Sequence, residues 1–190
     1  MVVKKKLMTA EELEQLDKSD PETRMDMRYE LVRGKLIKMP PAGPEHSGTQ
    51  ASATAVVGSF VRAHDLGRVY AGDPGFVLER GPDTVRTPDI CFIAKERLHL
   101  VESRQAPFFG MMVPDLAIEV ESEGRTRRQR AERVRDFLER GVQIYIYLRH
   151  SDRTATVHEP GREPRLLGPD DVLTGDPVLP GFRCRVADLF

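Results

Sequence analysis

Residues 114–148 constrain the fold more than any other stretch of the chain. They run as PDLAIEVES (114–122), an arginine-rich segment (126–140) closed by Gly141, and VQIYIYL (142–148). The outer runs have the two-residue alternation of strands, and the middle has the 3.6-residue period of a helix. Strand, helix, strand in that order is a crossover that joins two parallel strands of one sheet. An α/β class follows.

The remaining segments build around that unit. Thr9 and Glu12 fit a capping box for a short helix ending near Asp17. YELVRGKLIKM (29–39) reads as a hairpin with its turn at Arg33-Gly34. After a loop rich in proline and glycine, residues 46–64 are small and apolar enough for a helix packed closely on a sheet, with Gly67 as its stop. Strands are expected at 68–71, 75–80, 87–94 and 154–158, with Gly81-Pro82-Asp83 as a turn. The earlier strands follow one another through short turns and are expected to be antiparallel. The expected architecture is a mixed β-sheet flanked by helices, entered through an N-terminal helix and β-hairpin. The apolar end of the chain (Val186, Leu189, Phe190) should dock on it.

Length and composition narrow the class. At 190 residues, 39% hydrophobic and 31% charged, the chain can bury a real core as a single domain (1–190). No repeat or low-complexity run divides it. A net charge of −1 supplies no global field for nucleic acid, so a local patch must do that. Cys91 and Cys184 suit neither a disulfide framework nor a zinc site. No apolar run approaches the roughly 20 residues needed to span a bilayer. The lysines near the start give way to acidic residues rather than to an apolar leader. A cytoplasmic protein without membrane contact is expected.

Chemistry gathers on the acids. Alternation in PDLAIEVES puts Leu116, Ile118 and Val120 on one face, with Asp115, Ala117, Glu119 and Glu121 on the other. In a central strand both faces should be apolar, and a buried carboxylate needs a cation, an arginine or a solvent-filled cleft. Asp89, directly after Pro88, poses the same question one strand earlier. The plainer alternative is that Asp89 is a turn residue and that Glu119 and Glu121 lie on an exposed edge.

The following helix bears on that choice. Between Gly124 and Arg140 stand seven arginines (125, 127, 128, 130, 133, 135 and 140) against three acids, Glu132, Asp136 and Glu139. Ala131, Val134, Phe137 and Leu138 make the expected core-facing stripe. Arg127 and Arg130 fall within it and Arg133 flanks it, so these are expected partners for the carboxylates or for a phosphate. Arg125, Arg128, Arg135 and Arg140 are expected on a solvated face.

Taken together, these landmarks resemble the PD-(D/E)XK nuclease core, and within it the bacterial Uma-two family of restriction-endonuclease-like proteins. The resemblance rests on RYELVRGKLIKM, the proline loop before His46, TPDICFI, PDLAIEVES, FLERGVQIYIYL and the closing VLTGDPVLPGFRCRVADLF, in order through nearly the whole chain. It implies a restriction-endonuclease-like fold and divalent-metal-dependent hydrolysis of phosphodiester bonds in DNA by a homodimer. Asp89 and Glu119 would hold Mg²⁺ or Mn²⁺, with a nearby cation stabilising the transition state.

The chain departs from the family pattern in three places. The superfamily lysine would fall at position 121, where Glu121 stands. The lysine that family members place in the next helix aligns with Arg133, which keeps the charge but cannot transfer a proton at neutral pH. The strand that ends in an acidic pair in the family ends here in Leu148-Arg149-His150. The expected catalytic set is therefore Asp89, Glu119, Glu121, Arg130 and Arg133, with His46 and Glu30 as further candidates. For His46 a cap or surface role is the plainer reading, and for Glu30 a solvent-facing one is equally open. His64, His99, His150 and His158 show no ligand spacing and are expected on the surface or in loops.

Two other functions stay open on the sequence. One is a member that has lost catalysis and binds nucleic acid or a protein partner without cutting, which Glu121 and Arg133 favour. The other is a carboxylate-pair hydrolase acting on sugars, against which the arginine-rich helix and the lack of aromatic platforms argue.

Overall fold

The computed structural model describes residues 7–19, 28–39, 41–102, 108–122 and 124–190; the N-terminal lysines and Pro40 lie outside them. In chain order come helix α1 (Ala10–Ser19), strands β1 (Arg28–Val32) and β2 (Lys35–Met39), and helix α2 (Pro44–Ala63). Strands β3 (Gly67–Ala71), β4 (Phe76–Glu79), β5 (Thr84–Arg86) and β6 (Ile90–Ala94) precede the one-turn helix α3 (His99–Glu102). Strand β7 (Leu116–Val120), helix α4 (Arg127–Leu138) and strand β8 (Ile144–Arg149) form the crossover. Strands β9 (Thr154–His158), β10 (Arg165–Leu167), β11 (Val172–Thr174) and β12 (Arg183–Arg185) follow. The backbone groups into two compact units.

The first unit takes α1, β1, β2, β4 and β5. Its sheet is antiparallel in the order β2-β1-β5-β4. Arg33 and Gly34 turn the hairpin with φ of 49° and 71°, the doubly left-handed geometry that matches strand twist and that glycine adopts freely. Thr9 and Glu12 cap α1 reciprocally, the Glu12 N–H donating to Thr9 Oγ1 at 3.2 Å and the Thr9 N–H to Glu12 Oε2 at 2.9 Å. Ala10 and Leu13 of that helix pack on Leu31, Val77 and Val85. Glu30 is buried rather than solvent-facing: Arg86 Nη1 donates to its Oε2 at 3.0 Å, and the Thr87 N–H donates to its Oε1 at 2.7 Å. A buried carboxylate survives there because its lone pairs have a guanidinium and an amide to accept from.

The second unit carries the crossover. Its main sheet runs β10-β9-β8-β7-β6-β3, and only β7 and β8 are parallel. Strand β7 is therefore interior, and all five of its residues are buried. One face of the sheet (Ile90, Phe92, Leu116, Ile118, Val120, Ile144, Ile146) packs on Ala53, Val57 and Val61 of α2. Leu173, Leu179, Phe182, Val186 and Leu189 close the same core, so the end of the chain docks as expected. On the opposite face Phe137 of α4 meets Tyr145 with ring centroids 5.6 Å apart. Strands β5, β10, β11 and β12 and helix α3 have no counterpart in the sequence reading, since three or four residues are too few to show a period. No helix among the described residues is long and apolar enough to cross a membrane.

Candidate active site

Strands β6 and β7 pair Ile90 with Ile118. Asp89 lies in the bend that enters β6, and its Oδ2 accepts the N–H of Val120, the residue after Glu119 on β7. Asp89 and Glu119 are both buried, at 2% exposure each, which excludes the reading of an exposed edge strand. They lie at the carboxyl end of β7, where β8 also ends and α4 begins. That end of a parallel pair is where α/β folds place their ligands, because the strands diverge there and the next helix presents its N-terminus.

Asp89 is held by two elements, α2 and β7. Its Oδ1 faces His46 Nε2 at 3.1 Å, and its Oδ2 accepts the Val120 N–H at 2.7 Å. Its own carbonyl accepts from Gln50 Nε2 at 2.8 Å. Burial pushes the Asp89 carboxyl up, but the His46 hydrogen bond and charge, the Val120 N–H and the field of Arg133 outweigh it and hold the group below the usual range.

His46 is therefore neither a simple cap nor a surface residue. It begins the buried stripe of α2 (His46, Thr49, Ala53, Val57, Val61), whose spacing is visible in the sequence. Its Nδ1 lies 3.2 Å from the carbonyl oxygen of Glu121, and its Nε2 faces Asp89. Each ring nitrogen thus has an oxygen acceptor within hydrogen-bonding distance.

Glu119 is clamped by two arginines. Arg133 Nη2 stands 2.9 Å from Oε2, and Arg125 Nη1 donates to Oε1. Arg133 is buried and also lies over the Phe137 ring, with its guanidinium carbon 5.7 Å from the centroid. Arg130 Nη1 donates to the Arg125 carbonyl at 2.9 Å, and its guanidinium carbon sits 5.8 Å from the centroid of the Tyr147 ring. Thr126 and Gln129 fix the start of α4 with a complete capping box.

These contacts correct the expected helix face. The buried residues of α4 are Arg133 and Phe137, whereas Ala131, Val134 and Leu138 line an outer groove of about 400 Å³ beside Pro160. Arg127 is exposed, and Arg125, expected in solvent, is a principal partner of Glu119. Ranking positions by apolarity fails here because the sheet face under α4 carries a carboxylate, so the helix turns arginine towards it. Asp115, grouped with Glu119 by alternation, belongs to the other end of β7, where Arg97 Nη1 meets it at 2.6 Å.

A second layer lies at the rim. The Glu121 N–H donates to the Leu148 carbonyl at 2.8 Å, continuing the parallel ladder. The Glu121 Oε2 is enclosed, with no hydrogen-bond partner among the described residues. His150, expected on the surface or in a loop, lies in the turn after β8, 20% exposed and between acids: Nδ1 is 3.1 Å from Glu45 Oε2, and Nε2 is 3.8 Å from Glu121 Oε2. Burial and then the Glu121 charge push the Tyr147 phenol up to about 12, against the opposing charge of Arg130.

Two adjacent carboxylates are the donor set that Mg²⁺ or Mn²⁺ takes, since such an ion needs one or two of them and fills its shell with water. Among the described residues no three His, Cys, Asp or Glu side chains form a ready cage. The pair fits a divalent cation on one condition: Arg125 must leave Glu119. Arg125 is the cation able to do so, as it sits on the loop before α4 at 17% exposure, while Arg133 is locked in the helix at 2%.

Comparisons with known proteins bear on the family and the fold. A family model described as "Uma2: Putative restriction endonuclease" matches residues 10–187. A crystal structure described as "a putative nuclease belonging to DUF820" from Anabaena variabilis superposes with a TM-score of 0.78. The two chains are 21% identical, and the match covers 96% of this chain and 97% of that one. That likeness is one of fold, and it supplies the restriction-endonuclease-like architecture expected from the sequence. Among curated proteins nothing matches.

Proposed function

The chain belongs to the Uma2 family, and on that premise we propose that it hydrolyses phosphodiester bonds of DNA with the help of a divalent cation. The observation that carries this reading is the two buried carboxylates, Asp89 in the bend entering β6 and Glu119 on β7, with Arg133 beside Glu119 at the carboxyl end of the parallel pair. Asp89 and Glu119 would hold Mg²⁺ or Mn²⁺, which when bound supplies Lewis-acid polarisation of the phosphate.

Each neighbouring residue then has a task. His46 keeps Asp89 ionised and fixes its rotamer. Arg133 carries the positive charge that the family places in this helix, and it faces the position where phosphoryl oxygens gain charge. Arg125, once released from Glu119, is a second donor for the same oxygens, bidentate by geometry. Arg127 and Arg128, exposed on the first turn of α4, suit neighbouring phosphates of the DNA backbone. A second copy of the chain would supply the second site that a double-strand cut requires.

The test is cleavage of plasmid and linear DNA in Mg²⁺ and in Mn²⁺, with Asp89→Ala and Glu119→Ala as controls. Cleavage by the parent and loss of at least about 10²-fold in each variant is expected, the scale of removing a principal electrostatic element. Wild-type rates in both variants would end the proposal.

One observation favours a second reading. Every oxygen of Asp89 and Glu119 already has a partner within the chain, and Arg133 stands where a lysine is expected. A protein that binds DNA at this site without cutting it accounts for both. DNA binding with no cleavage in either metal would establish that alternative.

A further inference from the structure

We propose that Tyr147 is a substrate-binding residue of this site, its hydroxyl donating a hydrogen bond to a non-bridging oxygen of the phosphate. This rests on the nuclease reading above, and it adds a neutral donor that the acids and arginines of that reading do not supply.

Strand pairing fixes where the ring lies. Glu119 on β7 and Tyr147 on β8 are direct partners in the parallel ladder, and partners in such a ladder project from the same face of the sheet. The alternate residues Ile144, Ile146 and Leu148 fill the core on the α2 side. Tyr147 therefore shares with Glu119 the face that α4 covers. Burial acts most strongly on the phenol, and after it the charges of Glu121, Arg130, Glu119 and Arg125. The ring is part of the charged cluster.

Its hydroxyl is uncommitted. The oxygen is enclosed, with no hydrogen-bond partner among the described residues. Glu121 Oε2, enclosed at the same rim, does not take the phenol's hydrogen. A buried donor left unspent costs stability, and folds keep few of them without a use. The chemistry of the side chain explains why this one stays available. A cation here would be drawn onto Glu119, as Arg125 and Arg133 are. A phenol is neutral at neutral pH, so it forms no ion pair and keeps its hydrogen to donate. A phosphate oxygen is the acceptor that suits it, because the arginines of the same cluster offset the charge of the ligand.

Access to the hydroxyl and access to Glu119 open together. Arg130 lies over the Tyr147 ring, its guanidinium carbon 5.8 Å from the centroid, and its Nη1 donates to the Arg125 carbonyl at 2.9 Å. Arg125 is the residue that must leave Glu119 before a cation can bind there. Its backbone holds the anchor of Arg130, so its departure also loosens the group that covers the phenol. Glu119 is then free to hold the cation, and Tyr147, one strand away, donates to the phosphate oxygen beside it.

The experiment compares the parent, Tyr147→Phe and Asp89→Ala in cleavage of a duplex oligonucleotide in Mg²⁺ and in Mn²⁺, with kcat and KM separated. Thermal melting and calorimetric titration of Mn²⁺ are measured on the same proteins. Tyr147→Phe should lose about 10- to 10²-fold in kcat/KM, the scale of one hydrogen bond to a charged group. Most of the loss should fall on kcat, because the phosphoryl oxygens gain charge in the transition state. Melting temperature should hold or rise, since the variant removes a buried hydroxyl that has no partner in the resting protein. Mn²⁺ affinity should hold. If Tyr147→Phe cuts at the parent rate while Asp89→Ala is inactive, the Tyr147 assignment falls and the nuclease reading stands. If Tyr147→Phe loses melting temperature or Mn²⁺ affinity in step with rate, the hydroxyl is structural and the assignment also falls. A parent that cuts in neither metal overturns both.

Discussion

Arg133 Nη2 lies 2.9 Å from Glu119 Oε2, with both side chains 2% exposed, so the site is built on a buried ion pair between the crossover helix and its own preceding strand. Removing one member leaves the other charged in a dry environment. Arg133→Met should lower unfolding stability by on the order of 3 kcal/mol, and Glu119→Gln with Arg133→Met should recover much of that loss. Urea titrations of the two single variants and the double variant measure the coupling. Additive losses would mean that the pair is not a unit.

Arg125 should compete with a divalent cation for Glu119. It places one positive charge directly on the carboxylate from a partly exposed loop. Arg125→Ala should tighten Mn²⁺ binding by at least about tenfold, because even at an effective dielectric of 20 a unit charge a few Å away is worth several kcal/mol before relaxation. Calorimetric titration of Mn²⁺ reads this without any turnover. Equal affinities in the two proteins would show that Arg125 does not stand in the ion's place.

Asp89 makes acid stability predictable in sign. Its folded pKa is depressed, with burial opposing and His46 prevailing. The unfolded chain therefore binds the proton more tightly than the folded one. The stability it contributes is full above its ordinary value of 3.8 and is lost as pH falls below that through the folded value. The stability gap between the parent and Asp89→Asn should be widest near neutrality and should narrow below about pH 4. Denaturant midpoints at intervals from neutral to acid pH follow it. A gap that does not change with pH would contradict the prediction.

Arg127 and Arg128 should contribute to DNA affinity without contributing to sequence preference. Both are exposed at the start of α4. Replacing both with Ala should weaken binding uniformly across sequences and reduce the slope of log affinity against log salt by about 2. Anisotropy titrations at several salt concentrations on two unrelated duplexes provide the measurement. An unchanged slope would remove these residues from the interface.

Several elements of this fold are local properties of the chain. The Arg33-Gly34 turn, the Thr9–Glu12 cap and the crossover from β7 through α4 to β8 depend on neighbours within a few residues, so they are legible as patterns. Asp89 and Glu119 are also visible as candidates, because a carboxylate amid strand-forming apolar residues conflicts with its surroundings. Strand β5 and the three-residue strands near the C-terminus are not visible. Each is too short to show a period and is held by pairing with a neighbouring strand, β5 also with the distant β1.

The sequence by itself determined which residue types the site contains: adjacent-strand acids, an arginine-rich helix after them, and histidines of uncertain place. Only the tertiary structure decided which cation meets which acid. Alternation puts Glu119 on the face covered by α4, but the roll of that helix is set by packing Phe137 on Tyr145, and that roll brings Arg133 inward and turns Arg127 out. The β6–β7 pairing likewise brings Asp89 to the Val120 N–H beside Glu119, and the α2 stripe delivers His46 to it from 43 residues away in the chain. Long-range pairings of this kind depend on distances between elements, and a one-dimensional pattern carries no measure of those.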